Sequence, residues 1–361
     1  MTAAVDRATR APTVAVAVAI ALLGATAARA EPPALDLEVH GELIAGAVVT
    51  AVADRTDRRF SLERAEVTAL VAAGGRATGE LTVEAVRSAE PDSAAGIDGN
   101  SLLVRIKRAA IGGQGSLGRA VDLSGALGLV ADPWIAALGD FPLRTFGVTV
   151  VEDQGLVASS DLGATLAVSH GDLIRLRLAV TNGEGAHQVE RNQGKDTSAV
   201  VTVRPPLAAL GRGALEVHGY GRDGSTGPAS VRSHRAGLAL IWHHPRFAAG
   251  ADLVRAWGVG DRADVTAWTV EAWADVRLPR DLGLGLRWDR VDLAGPASGG
   301  DPPDRARATA GLWLELAGAV RVTAAVQVER AGAGAAIASV PTATDATRVM
   351  ILAQGSFATT P

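Results

Sequence analysis

From Val320 to Glu329 the chain changes character at every residue: Val320, Val322, Ala324, Val326 and Val328 share one parity, Arg321, Thr323, Ala325, Gln327 and Glu329 the other. A strand sends successive side chains to opposite faces, so this segment belongs to a sheet with one apolar and one wet side. The same alternation sets Ile174, Leu176, Leu178 and Val180 against Arg175 and Arg177. It recurs over Leu35–Leu43, where Asp36, Glu38, His40 and Glu42 occupy the polar face. Helical spacing survives in none of these windows, so the chain reads as all-β.

Sixteen strands are predicted, near 35–49, 60–72, 76–87, 102–110, 121–130, 161–169, 173–182, 196–204, 213–222, 231–243, 247–257, 265–277, 282–293, 305–317, 320–329 and 347–357. Most exceed the roughly 5–6 residues usual in globular sheets and suit tilted membrane-spanning strands of about 9–11. Every second connection is short: Ala73-Gly74-Gly75, His170-Gly171-Asp172, His244-Pro245-Arg246, Pro279-Arg280-Asp281 and Gly318. The others are longer and polar, as at 88–101, 183–195, 294–304 and 330–346. An outer-membrane barrel with an even strand number sorts its connections in this phase, with short periplasmic turns and longer outer loops. A soluble sandwich has no reason to. The expected fold is a transmembrane antiparallel β-barrel of about sixteen strands.

Composition agrees with that fold. Of 361 residues 48% are hydrophobic, yet no run after the N-terminus reaches the roughly 20 apolar residues of a spanning helix. The apolar residues are distributed over alternate strand positions. There is no cysteine, which excludes disulfides and thiolate metal sites, and the net charge of −4 argues against a general nucleic-acid binder. Arg7 and Arg10 precede an apolar run from Ala11 to Gly24, and Ala28-Arg29-Ala30 has the small-x-small form of a cleavage site. That is the pattern of a secretory signal peptide over 1–30, leaving one barrel domain over 31–361. The expected destination is the outer membrane of a Gram-negative bacterium.

Trp242, Trp257, Trp268 and Trp288 fall on the apolar faces of their strands, where an aromatic girdle at the headgroup boundary would stand. The last strand places Val349, Ile351, Ala353, Gly355 and Phe357 on one face, much like the aromatic-ended signal read by the barrel-insertion machinery. Here Ala358-Thr359-Thr360-Pro361 follows the aromatic.

Several stretches resemble the phosphate-selective porin O and P family. Phe60-Ser61-Leu62-Glu63-Arg64-Ala65 is similar to its second strand, and Asp161-Leu162-Gly163 with Leu178-Ala179-Val180-Thr181-Asn182-Gly183 to a later pair. Leu286-Arg287-Trp288-Asp289-Arg290-Val291-Asp292 and Ala310-Gly311-Leu312-Trp313 are similar to its late strands. The resemblance implies a sixteen-stranded barrel, a homotrimer and a third outer loop folded into the pore; the longest connection, about 131–160, occupies that place. The family's lysine cluster has no counterpart in a chain with only Lys107 and Lys195, so phosphate selectivity does not carry over.

If apolar faces meet lipid, polar faces line a lumen. Pore-lining candidates are Arg64, Arg105, Lys107, Arg175, Arg177, Arg287 and Arg321, with Glu84, Glu271 and Asp275 as acidic counterparts. Asp140, Arg144, Glu152 and Asp153 are candidates on the constriction loop. Such a wall would act on small anionic or neutral solutes by field and size. No cofactor or catalytic set is indicated: His243 and His244 are adjacent on a strand and so point oppositely, and no third ligand stands at recognisable spacing. The reading from a different class is a non-conducting outer-membrane or exported β-protein with a structural or adhesive role.

Overall fold

The computed structural model describes residues 35–52, 55–87, 102–139, 143–186, 193–206, 213–294, 305–316, 319–331 and 345–359. The expected signal peptide over 1–30 lies outside them. Sixteen strands form one closed antiparallel barrel, each paired with its neighbours in sequence and β1 (Leu35–Val52) paired with β16 (Ala346–Thr359). The closing ladder runs from Val39 opposite Thr359 to Val52 opposite Ala346. Closure leaves no free edge, so the backbone donors and acceptors of the strands are satisfied within the wall.

The alternation seen in the sequence is the in–out alternation of this wall. On β15 (Val320–Ala331), Val326 and Val328 are exposed on the outside, while Thr323, Gln327 and Glu329 are buried inside. On β16, Val349 and Ile351 face out and Met350 and Leu352 face in. Strand phase is reset where β4 (Leu102–Leu117) pairs with β3 (Ala77–Arg87). There Thr82 pairs with Arg108 but Val83 pairs with Ile106, leaving Lys107 as a bulged extra residue. The bulge lets Arg105, Lys107 and Arg108 all face inward, which strict alternation would forbid.

The connections follow the expected phase at one end of the barrel. Short turns at 74–76, 118–120, 171–173, 245–246 and 278–281 share that end with the start of β1 and the end of β16. At the opposite end the expectation of uniformly long loops is corrected. The connection between β11 (Phe247–Val259) and β12 (Arg262–Arg277) is two residues, Gly260 and Asp261, with φ of 62° and 60°. Both stand in the left-handed region that a tight turn matching strand twist requires, so the hairpin continues pairing beyond its apolar stretch. The links between β1 and β2 (Arg55–Ala73) and between β9 (Ala214–Thr226) and β10 (Val231–His244) are also short.

The one long connection described at length joins β5 (Val121–Ala131) to β6 (Ser160–His170) and lies inside the barrel. It carries helix α1 (Pro133–Ala137), a 3-10 turn over Arg144–Phe146 and helix α2 (Val150–Asp153). Its apolar side chains Trp134, Leu143, Phe146, Val150, Val151, Leu156 and Val157 are buried against inward-facing Tyr220, Ile241, Val254, Trp273, Val291 and Leu293. This corrects the expectation of a purely polar interior. On β10 both faces are apolar, with Leu238 and Leu240 outside and Ala239 and Ile241 inside, because the loop covers the inner face.

Candidate functional site

The loop is fastened to the wall along its length. Asp132 caps α1, its Oδ1 accepting from the Trp134 N–H at 2.7 Å, and Pro133 takes the first helical position, where its missing N–H costs nothing. Trp134 is wholly buried and stacks on Tyr220 with ring centres 5.1 Å apart. Phe146 rests on Gly285 and Gly311 of β13 (Leu282–Ala294) and β14 (Arg305–Glu315); a side-chain carbon on either glycine would stand under 3.0 Å from the ring. At the start of α2, the Val150 N–H donates to Glu271 Oε2 at 2.8 Å. Arg287 donates to the Val148 carbonyl at 2.8 Å, and Arg235 to the Leu156 carbonyl at 2.8 Å.

Charged residues expected along the lumen therefore divide into three groups. Arg287 and Glu271 face inward but are buried beneath the loop, 3.1 Å from each other, and Arg287 also lies 3.1 Å from Asp289. They hold the loop rather than line open space. Asp275 is likewise buried, accepting from Trp313 Nε1 at 2.7 Å, while Arg321 lies over the Trp313 ring at 4.2 Å. Of the loop candidates, Asp153 reaches Arg307 at 3.3 Å and Arg305 at 3.5 Å, and Glu152 accepts from the Thr149 hydroxyl at 3.0 Å. Asp140 lies outside the described residues, as does the side chain of Arg144.

The second group is a charge ladder across β1 to β4. Arg64 bridges Glu42 at 2.7 Å and Glu66 at 2.8 Å; Lys107 reaches Glu66 at 2.8 Å and Glu84 at 3.4 Å; Arg105 pairs with Glu84 at 2.8 Å. Arg108, not anticipated from the alternation, completes the ladder with Glu80 at 2.9 Å. The signal was present as the adjacent Lys107-Arg108 pair, which breaks period two. Because each of these cations has a carboxylate partner, their fields largely cancel at the distance of a passing solute.

Arg175 and Arg177 form the third group. They stand on β7 (Ile174–Thr181), on the stretch of wall beside α1. Both line two adjoining cavities, of about 250 and 680 Å³, walled also by Ala136 and Ala137 of α1, Thr202, Asp122, Ser124 and Ser169. Arg175 donates to the Ser169 hydroxyl at 3.0 Å, and no described carboxylate lies within ion-pair distance of it. This is the open lumen: what the loop leaves unfilled is polar, with the half-buried Arg175 and Arg177 facing it alongside Arg204, Asp122, Asp172 and Glu216.

Burial pushes the Asp132 carboxyl up to about 6, against the pull of the Arg222 guanidinium and the Trp134 N–H. With a folded value above the ordinary 3.8, the folded protein holds the extra proton between about pH 4 and 6. The stability from that proton is complete below the unfolded value and is lost as pH rises through 6. Relative to Asp132→Asn, the wild-type melting temperature should thus fall from pH 4 to 6 and run parallel above it. A difference that stays constant across that range rules out this titration.

The four expected girdle tryptophans all face outward. Trp242 lies near the short-turn end of β10, Trp257 and Trp268 near the opposite end of β11 and β12, and Trp288 in the middle of β13. His243 and His244 diverge as expected, His243 towards Glu216 at 3.9 Å and His244 stacked on Phe247.

No family model matches this sequence, and no curated protein matches it. Solved structures do resemble the fold. An anion-selective porin from Comamonas acidovorans superposes with a TM-score of 0.62 at 10% identity, covering 90% of this chain and 100% of that one. The outer membrane channel DcaP of Acinetobacter baumannii gives 0.60 at 12% identity over 90% and 97% of the two chains. OmpF of Salmonella typhi gives 0.58 at 14% identity over 90% and 98%. At such identities the likeness establishes a shared sixteen-stranded barrel architecture and nothing finer.

Proposed function

We propose that this chain is an outer-membrane channel through which small hydrophilic solutes diffuse passively, with a preference for anions. The observation that carries the reading is the division of the barrel interior. One side is filled by an anchored loop, and the other is left as a polar passage whose wall presents Arg175 and Arg177 beside α1. A low-dielectric wall focuses the field of Arg175, which has no described carboxylate within ion-pair distance, while the carboxylate-paired ladder of β1 to β4 contributes little net charge. Phosphate selectivity is not part of the proposal, because the lysine cluster it would need is missing.

The outward apolar band, with Trp242, Trp257 and Trp268 near its margins, supports insertion in the outer membrane of a Gram-negative bacterium after cleavage near Ala30. Large exposed side chains on the outer face of the first four strands, Phe60, Val104 and Ile111 among them, suit packing against lipid or against the other copies of a homotrimer.

Reconstitution in a planar bilayer tests the reading. Stepwise conductance is expected, with a reversal potential under a salt gradient that reports anion preference. Converting Arg175 and Arg177 together to glutamate should invert that preference, a change of about tenfold in the permeability ratio. A folded barrel that passes no current favours the non-conducting alternative, and an unchanged ratio removes the role given to these arginines.

A further inference from the structure

The outward face of β10 to β13 changes character along the strands. Outward positions are apolar from Leu238 to Trp242 on β10, Phe247 to Leu253 on β11, Trp268 to Val276 on β12 and Leu282 to Trp288 on β13. Beyond this band, towards the Gly260-Asp261 turn, Arg255 and Trp257 follow on β11, Arg290 and Asp292 on β13. The guanidinium carbon of Arg255 lies 5.0 Å from the Trp257 ring centre and 4.9 Å from that of Trp268.

An arginine at the edge of an apolar band normally finds a carboxylate. The nearby acids are engaged elsewhere: Asp223 with Arg232 at 3.5 Å and His234 at 3.0 Å, Asp264 with Arg262 at 3.2 Å. Asp292 is the register partner of Trp268 on the neighbouring strand. Among the described residues Arg255 makes no ion pair, and its Nε is buried without a hydrogen-bond partner. The two indoles fix the guanidinium in place while leaving its hydrogen-bonding capacity unspent. Cation, aromatic anchors and depth coincide with the level of lipid headgroups, where anionic oxygens complement an arginine held in this way.

We propose that Arg255, held between Trp257 and Trp268, binds the phosphate of a membrane lipid headgroup on the outside of the barrel. The proposal rests on the reading that this face meets lipid, but not on conduction through the lumen. A free inorganic anion is disfavoured by position, since the site sits directly above apolar wall that acyl chains would cover.

Native mass spectrometry of the detergent-solubilised protein, exposed to dioleoyl phosphatidic acid or dioleoyl phosphatidylcholine, tests it. Wild type should retain the phosphatidic acid preferentially, and Arg255→Gln should lower that retention about fivefold or more. Arg232→Gln removes a charge from the same face that is already ion-paired, and should retain lipid like wild type. Equal retention by Arg255→Gln, an equal loss in Arg232→Gln, or displacement of the lipid by millimolar inorganic phosphate overturns the proposal. Bilayer conductance of Arg255→Gln should equal that of wild type. If neither conducts while the lipid results hold, the channel reading fails and the lipid site stands.

Discussion

Replacing Trp134 by alanine is expected to release the inner loop and widen the channel. The indole is wholly buried, stacks on Tyr220 and lies against Gly237, so its removal leaves a cavity between loop and wall. Truncating a buried tryptophan costs about 3–5 kcal/mol, and the loss falls on the contact holding α1 to the barrel. The wall itself is held by sixteen closed ladders that do not include Trp134, so the far-ultraviolet β signal should survive. Single-channel conductance should rise by about twofold or more and become noisy, as the passage alternates between occluded and open. A quiet channel of wild-type size in a folded Trp134→Ala protein shows that the remaining anchors suffice without the indole.

Arg287→Ala should destabilise the barrel more than any other single lumenal substitution. Its side chain is fully buried between Glu271 and Asp289 and also donates to the Val148 carbonyl, joining wall to loop. Asp252, the register partner of Glu271, is buried too, which leaves three clustered carboxylates with Arg307 as the remaining cation, bound to Asp289 at 3.0 Å. Removing one member of a buried ion pair costs about 3–5 kcal/mol, because the charge left behind can neither be hydrated nor paired. On a cooperative unit of this size that corresponds to a drop of roughly 4–7 °C in the temperature at which the folded band disappears on a gel. The double variant Arg287→Met with Glu271→Gln should recover much of the loss, since it deletes both opposing charges. A single variant that melts with wild type would mean that water already reaches this cluster.

The positions of strands were legible because a wall between two different media writes its two faces onto alternate residues. All sixteen predicted segments coincide with strands, and the third outer connection with the inner loop. Two kinds of feature escaped. Bulges reset the phase where strict parity does not look for it, so Arg108 was missed although the doubled cation Lys107-Arg108 breaks the alternation. Hairpins such as that at Gly260-Asp261 extended past the apolar band, because backbone pairing continues wherever a tight turn permits it.

The division of the charged residues was legible only in part. Parity assigned Arg64, Arg105, Arg175, Arg177, Arg287 and Glu271 to one side of the wall, and the structure turns each of them inward. Parity carries no information about what stands opposite across the lumen. A cation beside a carboxylate from another strand, as in Arg64 with Glu42, is electrostatically quiet. One beneath a folded loop, as Arg287 is, becomes a fastener. One facing a cavity, as Arg175 does, remains available to a solute.

The sequence by itself determined the class of fold, the number of strands and the phase of the turns, since these follow from local alternation and local turn chemistry. Which arginines are spent on neighbours and which are left facing open space was decided by tertiary structure alone. That outcome depends on the path of the loop between β5 and β6 through the barrel, and the loop's seat is made by wall residues up to roughly 200 positions away in the chain, as where Thr145 meets Gln354.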